Sequence, residues 1–339
     1  MDTLYPAECT AMEHNPSDPI DKRLRQAQNW VSEVHGHPGV DWRSIAGDAS
    51  FRRYFRFHEA GQSYVLMDAP PELEDSAPFL DVAKRLREAG LHAPNILACD
   101  LGLGFMILED LGDDLYRDLL KPQTVESLFK PVFAALSTMA HKVCTKGLPV
   151  YGPEVLHREL SWFEDYYLAE HLNITWNVDQ RASWHAFCDS LVAAAVEQPQ
   201  VFVHRDVHSC NLLYLGDESP GIIDFQDAVK GPVTYDFVSL IWDRYTPWSR
   251  QRLEHWMEAF RKITCPQIAP LTWRRWCDLM GLQRNIKIIG RFAQLQHEHG
   301  KSGYIEMVPR FYQYLLDVLP RYPEFEAVER LLGDHSCAP

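Results

Sequence analysis

The spacing of apolar residues changes several times along the chain, and each change predicts an element. Between Asp21 and Val34, the residues Leu24, Ala27, Trp30, Val31 and Val34 recur every three or four positions, as on one face of a helix. Gly36 to Gly39 end it. The period then drops to two. Phe51, Arg53, Phe55 and Phe57 face one way, and Arg52, Tyr54 and Arg56 the other, as on a strand. Small residues at Gly47, Ala49 and Ser50 allow a tight hairpin before it. Ser63 to Asp68 (SYVLMD) is the next strand, and Phe105 to Leu108 reads as a buried one. Helical spacing returns in Phe79 to Ala89, with Gly90 as its C-cap.

Beyond residue 115 helical patterns dominate. Val125 to Val143 carries one apolar face, and Pro131 either kinks that helix or marks a boundary. Trp162 to Leu168 is aromatic-rich, and Trp184 to Val196 is amphipathic. Trp273, Trp276, Leu279, Leu282, Ile286, Ile289, Phe292 and Leu295 define one long helix, broken at Gly300–Gly303. Tyr304 to Leu319 and Phe325 to Leu332 close the chain. Stripes of this kind are packing surfaces far more often than ligand boxes.

One stretch breaks the helical run. Val201 to Ala228 (VFVHRDVHSCNLLYLGDESPGIIDFQDA) reads as short strand, loop, strand, turn and strand. Each apolar run is too short for a stable helix. Asp206, Asn211 and Asp224 are left at the apolar ends. A further helix follows Gly231–Asp236, over residues 237–244.

Composition narrows the setting. The chain has 339 residues, 46% of them apolar, enough for two lobes. A formal charge of −14 argues against broad nucleic-acid binding and against attachment to anionic membranes. The eight cysteines are scattered without CxxC spacing, which argues against a zinc site and for free thiols in a reducing cytoplasm. No basic segment followed by an apolar core marks a signal peptide, and no apolar run approaches the roughly 20 residues needed to span a bilayer. Residues 1–19, punctuated by three prolines, read as a loose extension.

The three polar groups suit phosphoryl transfer, which needs an aligned nucleophile and cations against the spreading charge. Asp206 can accept the proton of an attacking hydroxyl. Asn211 and Asp224 offer hard oxygen ligands of the kind Mg²⁺ prefers. The spacing His204-Arg205-Asp206, four residues, Asn211 is the kinase catalytic-loop pattern, and Asp224-Phe225-Gln226 stands where Asp-Phe-Gly is expected.

These motifs resemble the aminoglycoside phosphotransferase and choline kinase superfamily over roughly residues 20–332. With Gly47–Arg56 and Ile223–Ala228, they are similar to its bacterial branch of anomeric kinases for N-acetylmuramate and N-acetylglucosamine. The resemblance implies an α+β, bilobal, protein-kinase-like fold: a β-rich N-lobe over 20–110 covering the nucleotide, and a mainly helical C-lobe over 111–339. It implies ATP and Mg²⁺, a small amino sugar as acceptor, and a cytoplasmic role in cell-wall sugar recycling. No nucleic acid, membrane or obligate protein partner is inferred.

The resemblance also assigns positions. The hairpin would cover the ATP phosphates through its backbone, the Ser50 hydroxyl and one arginine. The lysine expected on the third strand is missing, and Met67 holds its place. Arg53 is the first choice for the replacement charge and Arg52 the second. Backbone at Glu109 and Leu111 would meet the adenine. Asp236 would hold the catalytic loop, or cap the helix that follows it. Arg205 would tie the loop together. His208 and Asp227 are candidates for sugar contacts, with His208 equally read as a loop-stabilising hydrogen bonder. Two rival functions remain open at this level: phosphorylation of an aminoglycoside or choline-like amino alcohol, and a nucleotide-binding module without catalysis.

Overall fold

The computed structural model describes residues 19–45, 51–243 and 245–333. They fall into two compact units: residues up to Ala77 with Asn95–Asp110, and Pro78–Pro94 with residues from Leu111 onward.

The first unit is a helix and a sheet. Helix α1 (Pro19–His35) precedes five antiparallel strands, β1 (Val40–Ile45), β2 (Arg53–Glu59), β3 (Gln62–Asp68), β4 (Ile96–Asp100) and β5 (Phe105–Glu109). Their order in the sheet is β1-β2-β3-β5-β4. The expected alternation in β2 holds. Arg53 lies opposite Asp68, Phe55 opposite Leu66, and Tyr54 opposite Met67. One sheet face therefore carries Phe55, Phe57, Leu66, Phe105 and Ile107, which form a core with Ala27, Trp30 and Val31 of α1. Gly104, at φ +74°, makes the turn into β5; a Cβ there would stand 2.0 Å from the Ala69 carbonyl oxygen.

The second unit is mostly helical. It begins with α2 (Ala77–Glu88), whose Phe79 ring lies 4.8 Å from that of Phe225. Then come α3 (Tyr116–Leu119), α4 (Val125–Lys142), α5 (Pro153–Trp162) and α6 (Val178–Val196). Pro131 interrupts no element: α4 runs through it. The aromatic segment after α5 winds into a wider helical turn over Phe163–His171. A capping box starts α6, with Asn177 and Gln180 exchanging side-chain and backbone bonds of 2.9 Å.

Four short strands follow: β6 (Gln200–Val203), β7 (Leu212–Leu213), β8 (Gly221–Ile222) and β9 (Val229–Pro232). The remainder is α7 (Tyr235–Ile241), α8 (Arg250–Thr264), α9 (Pro270–His299), α10 (Val308–Val318) and α11 (Glu326–Gly333). Helix α9 is the long apolar helix that the spacing predicts, and Gly290 lets it approach closely: a Cβ there would lie 2.5 Å from the Phe163 nitrogen.

Strands β4 and β9 and helices α3, α5 and α8 have no counterpart in the pattern-based assignment. Both strands are short; β4 alternates only between half-buried and exposed positions, and β9 does not alternate cleanly. The assignment passed over helix α8, although Leu253, Trp256, Met257 and Phe260 recur at helical spacing and share its buried face. The helix expected over 237–244 begins earlier and ends at Ile241. Among the described residues no helix is long and apolar enough to cross a membrane.

Candidate active site

Two miniature hairpins assemble the polar groups. Strand β6 pairs with β9, Val203 opposite Val229, and β7 pairs with β8, Leu212 opposite Ile222. Two-residue strands have no stability alone; here all four residues of β7 and β8 are buried. The pairings lay the loop 204–211 beside the segment 223–228, with Ile223 donating its N–H to the Asn211 carbonyl at 3.2 Å.

Asn211 sits at the centre. Its amide nitrogen lies 3.3 Å from Asp206 Oδ2 and 3.2 Å from Asp224 Oδ2, and it donates to the Asp206 carbonyl at 3.0 Å. The residues separated by up to 18 positions in the chain thus converge within one amide's reach. Asp206 keeps 49% of its side chain exposed, so the carboxylate is open to a small molecule. Asp224 is exposed, and its other oxygen accepts from the Gln226 amide at 2.8 Å.

The loop is held from below. Asp236, buried at the start of α7, accepts the His204 N–H at 2.7 Å and the Arg205 N–H at 3.0 Å. Burial pushes its carboxyl above the ordinary aspartate range, against the pull of His204, these two N–H groups and Arg284. Arg205 has φ +78°, a left-handed conformation that costs a non-glycine residue about 1 kcal/mol or more. The paired bonds from Asp236 compensate for it. His204 is buried, accepts the Asp206 N–H at Nδ1 and therefore directs Nε2–H to the Ile223 carbonyl, 3.0 Å away. One imidazole so links the loop of Asp206 to the residue before Asp224. The Arg205 side chain turns inward to Glu159 at 2.7 Å.

His208 is buried. Its Nδ1 accepts the Cys210 N–H at 3.2 Å, and its Nε2 lies 3.4 Å from Asp206 Oδ2. Both ring nitrogens face the loop, which favours its loop-bracing alternative over direct sugar contact. Asp227 is exposed and acts on Arg205 through its charge.

Ser50 and the hairpin tip are outside the described residues. Arg53 is bonded through Nε to Asp68 at 3.0 Å, and Arg52 is paired with Glu74 at 3.0 Å. Glu109 donates its N–H to the Asn95 carbonyl at 2.8 Å, and Leu111 is buried with its side chain near Gly221.

Four supporting residues escaped the sequence. Glu159, in α5, and Asp243, just past the end of α7, are buried acids; Asp243 accepts the Ser209 N–H at 3.0 Å. Nothing local marks either. Gln226 and His204 lie inside recognised motifs, but their bonds depend on the fold.

The donor set suits a hard cation. The Asn211 amide and the Asp224 carboxylate are neighbours; Asp224 offers oxygen directly, and Asn211, whose nitrogen faces the carboxylates, would offer its oxygen after a half-turn of the amide. Among the described residues no three His, Cys, Asp or Glu side chains stand close enough to hold a metal by themselves. These two groups would leave most of a Mg²⁺ shell to phosphate oxygens and water, which that ion favours.

Known proteins with similar sequences and shapes agree with this picture. A family model described as "Phosphotransferase enzyme family" matches residues 41–276. An N-acetylmuramate/N-acetylglucosamine kinase of Pseudomonas aeruginosa is 42% identical over 329 residues, covering 92% of this chain and 97% of the relative. One of the same name from Neisseria meningitidis is 34% identical, covering 92% and 95%. The choline kinase LicA from Streptococcus pneumoniae superposes with a TM-score of 0.62 at 12% identity, over 87% of this chain and 99% of that one. Aminoglycoside phosphotransferase APH(4)-Ia, in a ternary complex with ADP and hygromycin B, gives 0.58 at 16% identity, over 86% and 98%. At such identities the two structures show a common fold, the α+β, kinase-like one that the motifs imply.

Proposed function

The chain belongs to the phosphotransferase enzyme family, and on that premise we propose that it is an ATP-dependent kinase acting on the anomeric hydroxyl of N-acetylmuramate, N-acetylglucosamine or both. The names of its relatives support the sugars. The contact of one Asn211 amide with both Asp206 and Asp224 carries the chemistry: it brings a proton acceptor and a metal-binding carboxylate together.

Asp206 takes the proton of the acceptor hydroxyl as that oxygen attacks the terminal phosphorus of ATP, whose bond to the bridging oxygen breaks to release ADP. An anomeric hydroxyl is more acidic than an ordinary alcohol, so a carboxylate is a competent base. Bound Mg²⁺ would neutralise charge on the phosphates. Asn211 and Asp224 are the groups that would hold it. Arg205 does not react; its backbone, gripped by Asp236, shapes the loop. Asp227 stands exposed beside it as a sugar contact. One arginine of the β1–β2 hairpin meets the phosphates, and the backbone at Glu109 and Leu111 meets the adenine. The product would be a sugar 1-phosphate, made in the cytoplasm during cell-wall sugar recycling.

Phosphorus NMR of the product from ATP, Mg²⁺ and each amino sugar tests this. The expected signal is a phosphate coupled to the C1 proton. A 6-phosphate, or no sugar phosphate at all, overturns the assignment.

A further inference from the structure

Helix α9 carries three cations on one face of its middle turns: Arg284, Lys287 and Arg291. Two of them are engaged. Lys287 Nζ lies 3.1 Å from the Tyr235 hydroxyl and 3.4 Å from Glu159 Oε1. Arg291 donates to Gln294 Oε1 at 2.5 Å, and its guanidinium lies over the Trp162 ring, 5.8 Å from the centre. Arg284 is different. It is only 7% exposed, yet no hydrogen bond or ion pair reaches it from any of the described residues. Its Nε is fully enclosed without a partner, and its two terminal nitrogens, equally unpaired, keep some surface. A guanidinium does not escape by losing its proton. Burying one unpaired is unfavourable, so the side chain stands ready for an anion that the chain itself does not supply.

We infer that Arg284 takes the carboxylate of the acceptor sugar, and so favours N-acetylmuramate over N-acetylglucosamine. This inference rests on the sugar-kinase reading above. The two sugars differ in one group: N-acetylmuramate carries a lactyl ether that ends in a carboxylate, where N-acetylglucosamine has a hydroxyl. A chain of formal charge −14 repels an anionic sugar at long range, so a local cation has to offset that. The other anion in the reaction is phosphate, and its counter-charge is the Mg²⁺ assigned to Asn211 and Asp224. The sugar carboxylate has no such partner among the groups assigned so far.

The packing sets Arg284 beneath the catalytic loop. Gly281, one turn earlier in α9, leaves room for the Trp242 ring at the end of α7: a Cβ there would lie 2.1 Å from that ring. This seats α7 against α9. At the start of α7, Asp236 lies within reach of the Arg284 charge but does not pair with it. Its oxygens are taken by the His204 and Arg205 N–H groups, at 2.7 and 3.0 Å. Arg205 immediately precedes the proton acceptor Asp206. Lys287, one turn beyond Arg284, shares Glu159 with the Arg205 side chain. Arg284 thus belongs to a cationic floor under the loop that presents the base, and it is the cation there with nothing bound.

Steady-state kinetics with three acceptors test this: N-acetylmuramate, N-acetylglucosamine, and the N-acetylmuramate amide, whose carboxylate is replaced by a neutral carboxamide of the same shape. On the unaltered chain the amide should show a kcat/KM about ten- to a hundredfold below that of the acid, the scale of a hydrogen bond to a charged group. Arg284→Gln should lower the ratio of kcat/KM for N-acetylmuramate over N-acetylglucosamine by a similar factor and should treat acid and amide alike. Arg284→Lys should keep part of the preference. If Arg284→Gln does not fold, acid and amide on the unaltered chain and on Arg284→Lys still carry the test. Equal use of acid and amide by the unaltered chain overturns the inference, as does an equal loss on both sugars in Arg284→Gln. So does a calorimetric affinity for ADP that falls in Arg284→Gln while the sugar ratio stays, since the anion would then be phosphate. Failure of the unaltered chain to phosphorylate either sugar overturns the sugar-kinase reading with it.

Discussion

Gln226 donates its side-chain amide to Asp224 Oδ1 at 2.8 Å, so the residue standing where kinases carry glycine grips the carboxylate assigned to the metal. The contact orients Asp224, whose own backbone is in the left-handed region at φ +64°. Loss of a residue that orients a metal ligand typically costs about tenfold or more in metal affinity. Gln226→Ala should therefore raise the Mg²⁺ concentration for half-maximal activity by about that factor, with turnover at saturating Mg²⁺ affected less. A Mg²⁺ titration of initial rates reads the difference. An unchanged midpoint would mean that Asp224 is oriented without Gln226.

Asp206 has the exposure and the neighbours of a general base. Asp206→Asn keeps the shape and the contact with Asn211 but cannot take a proton. Turnover should fall by roughly 10²–10⁴, with the Michaelis constants for sugar and ATP changed far less. Steady-state kinetics with both substrates varied would reveal this. Near-full activity would rule out Asp206 as the base.

Glu159 is almost fully buried and faces two cations, Arg205 at 2.7 Å and Lys287 at 3.4 Å, besides a hydrogen bond from the Tyr151 hydroxyl. Removing one partner of a buried ion pair costs about 3–5 kcal/mol, because the other charge stays buried. Glu159→Gln should lower the unfolding free energy on that scale in urea denaturation. The catalytic loop should loosen with it, since Arg205 sits beside Asp206. A loss within 0.5 kcal/mol, the ordinary range of surface changes, would show that the network contributes little.

Helix α8 carries a pH-dependent contribution. Burial tends to raise the Glu254 carboxyl, but hydrogen bonding and charge from Arg250, with the charges of Arg274 and Arg321, bring it below the ordinary glutamate range. The sign follows from linkage: a depressed pKa means that the folded state favours the ionised form. That stabilisation is complete above the unfolded-chain pKa, about 4.3, and is lost as pH falls through the lower folded value. The unfolding-midpoint difference between the unaltered chain and Glu254→Gln should be constant near neutrality and shrink below that pKa. A difference independent of pH down to full protonation would exclude the ion pairs as its source.

Much of this was legible in the sequence. Asp206, Asn211 and Asp224 were found because kinase chemistry ties them to fixed spacings within a 28-residue stretch, Val201 to Ala228. Helices α1, α4 and α9 were found because a buried helix face repeats every three or four residues. Strand β4 was not, because its five residues alternate only between half-buried and exposed positions. Glu159 and Asp243 were invisible because their partners lie 46 and 34 residues away in the chain.

The sequence by itself determined the chemistry that is local: the catalytic-loop spacing, the missing strand lysine, and the alternation that puts Arg52 and Arg53 on opposite faces. It could not say what either arginine meets, because parity says which residues share a face and not what covers it. Only the tertiary structure decided that, by laying α1 over the side with Arg53 and burying Asp68 there. The physical reason is the same throughout. Spacing along a chain encodes direction, whereas desolvation and ion pairing depend on what distant segments bring to the other side.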